Sequence, residues 1–193
     1  MTSRCRLALV LLLALAGCGV PMQSTPVPIE PGRIPTVLSS PDHPSTPGTA
    51  IPGRPAVQVN FVRDDRLVKV LRDAPTTTLT DRLNTVIEAL QTGPSTGEQA
   101  NGITSALEAE LRLTVVEIQR NRVVVELSGD SEGRSATENV LAVGQIVLSI
   151  TALPSIDQVS FSRDGTPVEA LQADGALTTE PLTARDYATL RSG

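Results

Sequence analysis

Residues 135 to 171 read SATENVLAVGQIVLSITALPSIDQVSFSRDGTPVEAL. Val140, Leu141, Val143, Ile146, Val147, Leu148 and Ile150 cover most sides of a helix over 135–153 and leave a narrow polar stripe of Glu138, Gln145 and Ser149. A helix this apolar packs on a sheet and is largely buried. It is too short, and too interrupted by polar residues, to span a bilayer. Pro154 stops it. Residues 156–162 then alternate as a strand, Asp164-Gly165 makes a tight turn, and Thr166 to Leu171 is a short return.

The segments upstream repeat the scheme. In AVQVNFV (56–62), Val57, Val59 and Phe61 share one face of a strand, with Gln58 and Asn60 on the other. Asp64-Asp65 turns the chain, and RLVKVL (66–71) completes a hairpin. Leu79, Leu83, Val86, Ile87 and Leu90 fall at helical spacing. Thr78 or Thr80 caps that helix and Gly93-Pro94 ends it. Residues 95–110 read as a loop with a short helical turn within GITSALEAEL. LRLTVVEI (111–118) and RVVVEL (122–127) flank Gln119-Arg120-Asn121 as a second hairpin. In LTARDY (182–187), Thr183 is an N-cap with Asp186 at N3, and Leu182 and Tyr187 occupy staple positions, which predicts a short helix from Ala184. The order ββ-α-ββ-α-β(β)-α predicts an α+β fold: a mostly antiparallel sheet, two main helices on one face, and a short C-terminal helix.

The N-terminus carries an address. Arg4 and Arg6 precede an uninterrupted apolar run from Leu7 to Ala16, the length of a signal-peptide core. Leu15-Ala16-Gly17-Cys18 resembles the bacterial lipobox. That resemblance implies cleavage before Cys18, a diacylglycerol thioether on its sulfur, and a lipid-anchored chain on the outer face of the cell membrane. A thiolate is the nucleophile able to accept the lipid. The other cysteine, Cys5, would be removed with the leader, residues 1–17, so the remainder has no intramolecular disulfide.

Residues 18–55 are of a different material. Ten of the 15 prolines fall between 20 and 55, with Ser and Thr between them and no apolar period. Such a stretch builds no core and favours extended polyproline II, so it reads as a tether. His43, the one histidine of the chain, lies in it. From residue 56 the pattern is that of one domain with enough length for a core. Residues 56–170 are its body, and 171–193 a tail carrying the short helix. The net charge is −5, and −7 once Arg4 and Arg6 leave with the leader. Nucleic-acid binding requires clustered positive charge, so that class is set aside. Arginine outnumbers lysine 15 to 1, as in proteins of GC-rich genomes.

VNFVRDDRLVKVLR followed by a helix ending in ALQTGP, the hairpin LTVVEIQRNRVVVELS, and above all LAVGQIVLSITALPSIDQVSFSRDGTPV resemble the GerMN (sporulation and spore germination) domain family over about 57–169. The tail EPLTARDY is similar to sequences that follow this domain in actinobacterial lipoproteins. The resemblance implies an envelope location and a protein partner in the envelope. It implies no catalytic residues.

The residues agree. The domain holds no histidine or cysteine, which excludes Ser-His-Asp and Cys-His sites and thiolate or imidazole metal sites. No phosphate-cradling glycine motif occurs. SGDSEGRSATEN (128–139) places Asp130, Glu132 and Gly133 as in a calcium loop, but Ser128 and Asn139 stand where Asp and a bidentate Glu belong, and Glu138 is one residue off. The plainer reading is a polar loop with acids near a helix N-terminus. Glu108 and Glu110, or Asp64 and Asp65, are paired acids without an aromatic-lined cleft for sugar. We therefore expect no enzyme, cofactor or metal. Two functions remain: a docking or scaffolding module for an envelope protein, or a carrier holding a lipid or other apolar ligand. Replacing Cys18 by Ala should leave the chain unprocessed or released from membranes. Mature Cys18→Ala protein that still partitions with lipid in a detergent-phase assay would refute the anchor.

Overall fold

Two aspartates set the first hairpin. Strand β1 (Ala56–Arg63) pairs antiparallel with β2 (Arg66–Asp73). Asp64 and Asp65 both take positive φ, 51° and 54°, the turn geometry whose twist matches that of the strands it joins. The computed structural model describes residues 55–75, 77–129 and 133–192. The leader, Cys18, the tether with His43, and the loop acids Asp130 and Glu132 lie outside the described residues.

Helix α1 (Leu79–Thr92) begins where Thr78 accepts the Asp81 N–H at 3.2 Å and ends at Gly93, φ 79°. The short helical turn is α2 (Thr96–Ala100), earlier than GITSALEAEL. It forms there because Ser95 and Glu98 make a complete capping box, each side chain bonded to the other's backbone N–H. Strands β3 (Arg112–Gln119) and β4 (Arg122–Ser128) form the second hairpin, with a bulge between Val115 and Glu117. Helix α3 (Ala136–Ile150) starts at a second capping box, Ser135 with Glu138. It ends at Thr151, before Pro154 is reached.

The fold is α+β, as the pattern predicts, but the strands do not form one sheet. β1-β2 is a ladder of its own; β3-β4-β5-β6 is a second, with β5 at Gln158–Arg163 and β6 at Thr166–Pro167; β7 (Ala170–Leu171) and β8 (Leu177–Thr178) make a third. β5 runs parallel to β4. The reason is α3, which serves as the crossover: a strand reached through a helix returns at the same end from which the first strand started.

The segment after residue 170 is part of the core. Thr183 and Asp186 make the expected pair, the Thr183 N–H donating to Asp186 Oδ2 at 2.6 Å, yet the chain continues in turns and a 3-10 helix (Ala188–Leu190), not an α-helix. Leu182 and Tyr187 are fully buried. Leu182 bridges Val159 of β5, and Arg191 bridges Leu67 of β2, so the same short segment reaches an edge of each of two sheets. Gly144 makes room for this arrangement: a Cβ there would meet Tyr187 Cδ1 at 2.9 Å and Leu67 Cδ1 at 3.0 Å. The Tyr187 hydroxyl donates to the Leu171 carbonyl at 2.6 Å. Burial, with Asp186 and Asp174 nearby, raises its pKa far above the usual tyrosine range.

Candidate docking surfaces

Every strand edge exposes backbone groups that need partners. Their fate separates closed surfaces from open ones. On β1 the outer edge is closed by a loop and a helix side chain. Val62 and Thr104 exchange backbone bonds at 2.8 Å, and the Asn60 N–H donates to Ser149 Oγ at 2.8 Å. Gln145, one turn earlier on α3, accepts the Ala106 N–H at 2.8 Å and donates to Ser105 Oγ at 3.1 Å. Gln145 and Ser149, two residues of the narrow polar stripe on α3, are both 0% exposed, and loop 104–106 and β1 supply their hydrogen-bond partners. Asn60 and Val62, on or beside the face expected to be polar, are buried as well: their backbone groups are met by Ser149 and Thr104, while the Asn60 side-chain Nδ2 has no hydrogen-bond partner.

On β3 the outer edge remains open. Gln91 of α1 accepts the Leu113 N–H at 3.3 Å, and no strand pairs with β3 on that side among the described residues. Val116 and Ile118 are 55% and 39% exposed. Two open hollows, about 680 and 230 Å³, run between α1 and this strand. The first lies between Ile87 and Gln91 on one side and Arg112 and Val115 on the other; the second lies between Leu83 and the pair Val116 and Ile118. The alternation of the sequence finds the strand, but it cannot say that this edge stays unpaired.

The acidic candidates do not converge. Asp64 and Asp65 form the β1-β2 turn. Glu108 makes a 3.6 Å ion pair with Arg134. Glu138, one residue from the calcium position, caps α3 by accepting the Ser135 N–H and hydroxyl at 2.8 and 2.7 Å. Those bonds hold its carboxyl below the usual range. Glu126 binds the Ser162 hydroxyl and the Gly165 N–H, pinning the Asp164-Gly165 turn, and is held low in the same way. Among the described residues no group of three or more His, Cys, Asp or Glu is placed to hold a metal. No helix among them is long and apolar enough to cross a membrane.

Sequence reasoning missed the fork between Arg72 and Glu98. The two Arg72 terminal nitrogens meet the two Glu98 oxygens at 2.8 and 2.7 Å, and the guanidinium lies 5.2 Å from the Phe61 ring centroid. It ties α2 to the first hairpin. Their separation of 26 residues leaves no local signal.

These features define a class: an α+β domain with an open strand edge beside a helix. The chain belongs to the Germane family, described as sporulation and spore germination, which matches residues 54–169. Two solved structures, both from one sporulation protein, share the fold. The tandem GerMN domains of the sporulation protein GerM from Bacillus subtilis align at TM-score 0.50 and 17% identity, covering 77% of this chain and 50% of that one. This chain thus spans about half the length of that tandem structure. The first GerMN domain of the same protein aligns at TM-score 0.53 and 14% identity, covering 68% of this chain and 98% of that one. A putative lipoprotein from Clostridium perfringens aligns at TM-score 0.48 and 21% identity, covering 72% and 91%. No curated protein sequence matches the chain.

The Arg72–Glu98 fork gives a pH test. Burial pushes the Glu98 carboxyl up, but the Arg72 and Ser95 hydrogen bonds outweigh it and leave it below 4.5. A depressed carboxylate contributes stability above its unfolded pKa and loses it as pH falls through the folded value. Urea midpoints should therefore drop between about pH 5 and pH 3, and drop less in Glu98→Gln. Equal losses in both proteins would show that the fork carries no pH-dependent stability.

Proposed function

We propose that this chain is an exported, lipid-anchored, non-catalytic envelope module that docks a protein partner along strand β3. The observation that carries the reading is the open β3 edge, with exposed Val116 and Ile118 beside the α1 groove. An added strand satisfies such an edge through main-chain bonds, and alternate side chains enter the neighbouring hollows. The bulge at Val116 makes the edge selective, because a flat strand cannot follow it. Membership in a sporulation and germination family agrees with an envelope role. The lipobox at Cys18 and the proline-rich residues 18–55 support an anchor and a tether. Two acyl chains hold a protein stably on a membrane, and a tether sets the effective concentration at which the domain meets its neighbour. The excess of arginine over lysine supports a GC-rich, actinobacterial source.

The carrier reading is weaker for a whole lipid. The apolar hollow lined by Ala142, Ile146 and Phe161 is about 280 Å³, below the ~300–1,000 Å³ of ordinary ligand pockets. The rest of the interior is one continuous packed cluster.

The test is crosslinking in intact cells with the paired change Val116→Glu and Ile118→Lys. Both side chains are exposed, so stability should move by less than about 0.5 kcal/mol each. Partner capture should fall at least tenfold (~1.4 kcal/mol). Undiminished capture by a folded double variant would place the docking surface elsewhere.

A further inference from the structure

From Leu111 to Gln119 the open strand carries two charges, Arg112 near one end and Glu117 near the other. Both side chains are exposed, and neither has an ion-pair partner among the described residues. Arg112 donates through Nη1 to the carbonyls of Ala109 and Leu111, and Glu117 accepts the Gln119 amide on Oε1. Those partners are neutral and leave each charge uncompensated. Arg112 and Glu117 share a face of β3, because the bulge at Val116 shifts the alternation by one residue: their cross-strand partners, Ser128 and Val124, lie on one face of β4. Thr114, opposite Glu126, sits between them on that face. Leu113, Val115 and Ile118 point the other way, toward the hollows beside α1. The backbone alternates too. The Leu113 N–H reaches Gln91, away from β4. Leu113 and Val115 therefore turn their N–H and C=O groups outward, while Thr114 turns its own toward β4.

We infer that β3 pairs antiparallel with β3 of a second copy of this chain, about a two-fold axis through Thr114. The inference rests on the β3 docking reading and names its occupant. With Thr114 facing its own copy, Leu113 stands opposite Val115 of the second copy, and their outward groups bond in both directions. The Val115 carbonyl of the second copy takes the place of the long 3.3 Å contact from Leu113 to Gln91. Its side chain enters the hollow lined by Ile87, Gln91 and Leu113. One step further along, Arg112 stands opposite Glu117, since Val116 is the extra residue of the bulge. The two-fold axis makes that ion pair twice. Opposed unlike charges and a Thr–Thr pair are both favourable across strands. A chain of net charge −5 repels its own copy on average, and this register supplies attraction at the contact. A contact of this length is weak in solution. Anchoring both copies to one membrane through tethers raises their effective concentration.

The chain from Gly19 onward retains every described residue and holds no cysteine, so Thr114→Cys introduces a single thiol at the axis. Opposed residues of a non-hydrogen-bonded pair lie about 4.5 Å apart between Cα atoms, inside the ~4.4–6.8 Å range of a disulfide. Under mild oxidation Thr114→Cys should form a covalent dimer at least about tenfold faster than Thr166→Cys, an exposed control on β6. Adding Arg112→Glu or Glu117→Arg should slow the reaction at least about tenfold, and the two changes together should restore it. Equal rates at the two positions, or no rescue by the double reversal, would overturn the self-pairing. Should Thr114→Cys fail to fold, sedimentation equilibrium decides. The unaltered chain should show a concentration-dependent dimer that Glu117→Arg removes and the double reversal restores; a monomer at every concentration overturns the proposal. Failure here is separable from failure of the docking reading. A monomeric soluble chain, with capture in cells still lost in the Val116→Glu and Ile118→Lys pair, leaves β3 as the edge for a different protein and overturns the self-pairing alone. Capture that persists in that pair removes both.

Discussion

Helix α3 is apolar enough to vanish into a core, yet it carries Gln145 and Ser149 into that core. An unpaired buried amide or hydroxyl costs about 1–3 kcal/mol, so these two residues dictate what lies against them. Ser149 takes the N–H of Asn60 and donates its own proton to the Gln145 carbonyl at 2.6 Å. Gln145 takes the N–H of Ala106 and gives an N–H to Ser105. An apolar helix of the same shape could slide or rotate on β1; this one has a single register in which its polar atoms are satisfied. That register positions loop 104–106 against Val62. It also presents Gly144 to Tyr187, and with it the segment that reaches β2 and β5.

Closure of the β1 and β5 edges sets off the open one on β3. β1 is finished by a loop and a helix side chain and β5 by Leu182 and β6, while β2 is met only at Leu67, by Arg191 and Ser192. β3 receives one side-chain cap, from Gln91, and then runs on with Val116 and Ile118 in solvent. A chain that binds by strand addition needs one edge left unfinished and the others protected. The ionisable groups point the same way. Glu98, Glu126 and Glu138 each hold a turn, a cap or an ion pair, which leaves them engaged in the fold itself.

Local chemistry was legible in the sequence. Both hairpins, α1 with Thr78 and Gly93, and the apolar body of α3 follow from periodicity and caps acting over a few residues. The division into separate ladders was not legible, because pairing partners far apart in sequence leave no periodic trace. The parallel β4-β5 pair could have been anticipated from the helix between them. Gln145 and Ser149 were legible as a polar stripe but their partners were not: polarity at helical spacing signals exposure only when nothing else on the fold can satisfy the side chain. The cap pair Thr183 and Asp186 was recognised, but a cap starts a helix without guaranteeing its length. The β3 edge and the hollow beside α3 are properties of the assembled fold, and no residue type advertises them. Cys18 stands apart, since its proposed lipidation rests on the resemblance of residues 15–18 to a lipobox and not on the folded domain.

Native-state hydrogen exchange tests the role of α3 most directly. If the Gln145–Ser149 stripe locks β1 and loop 104–106 to the core, the amides of Asn60 and Ala106 open only with the whole domain. Their exchange free energies should then equal the global stability from denaturant melts and fall together with it in Gln145→Ala. If Ala106 exchanges at the rate of an exposed loop while the centre of α3 stays protected, the stripe does not hold the fold together and the account fails.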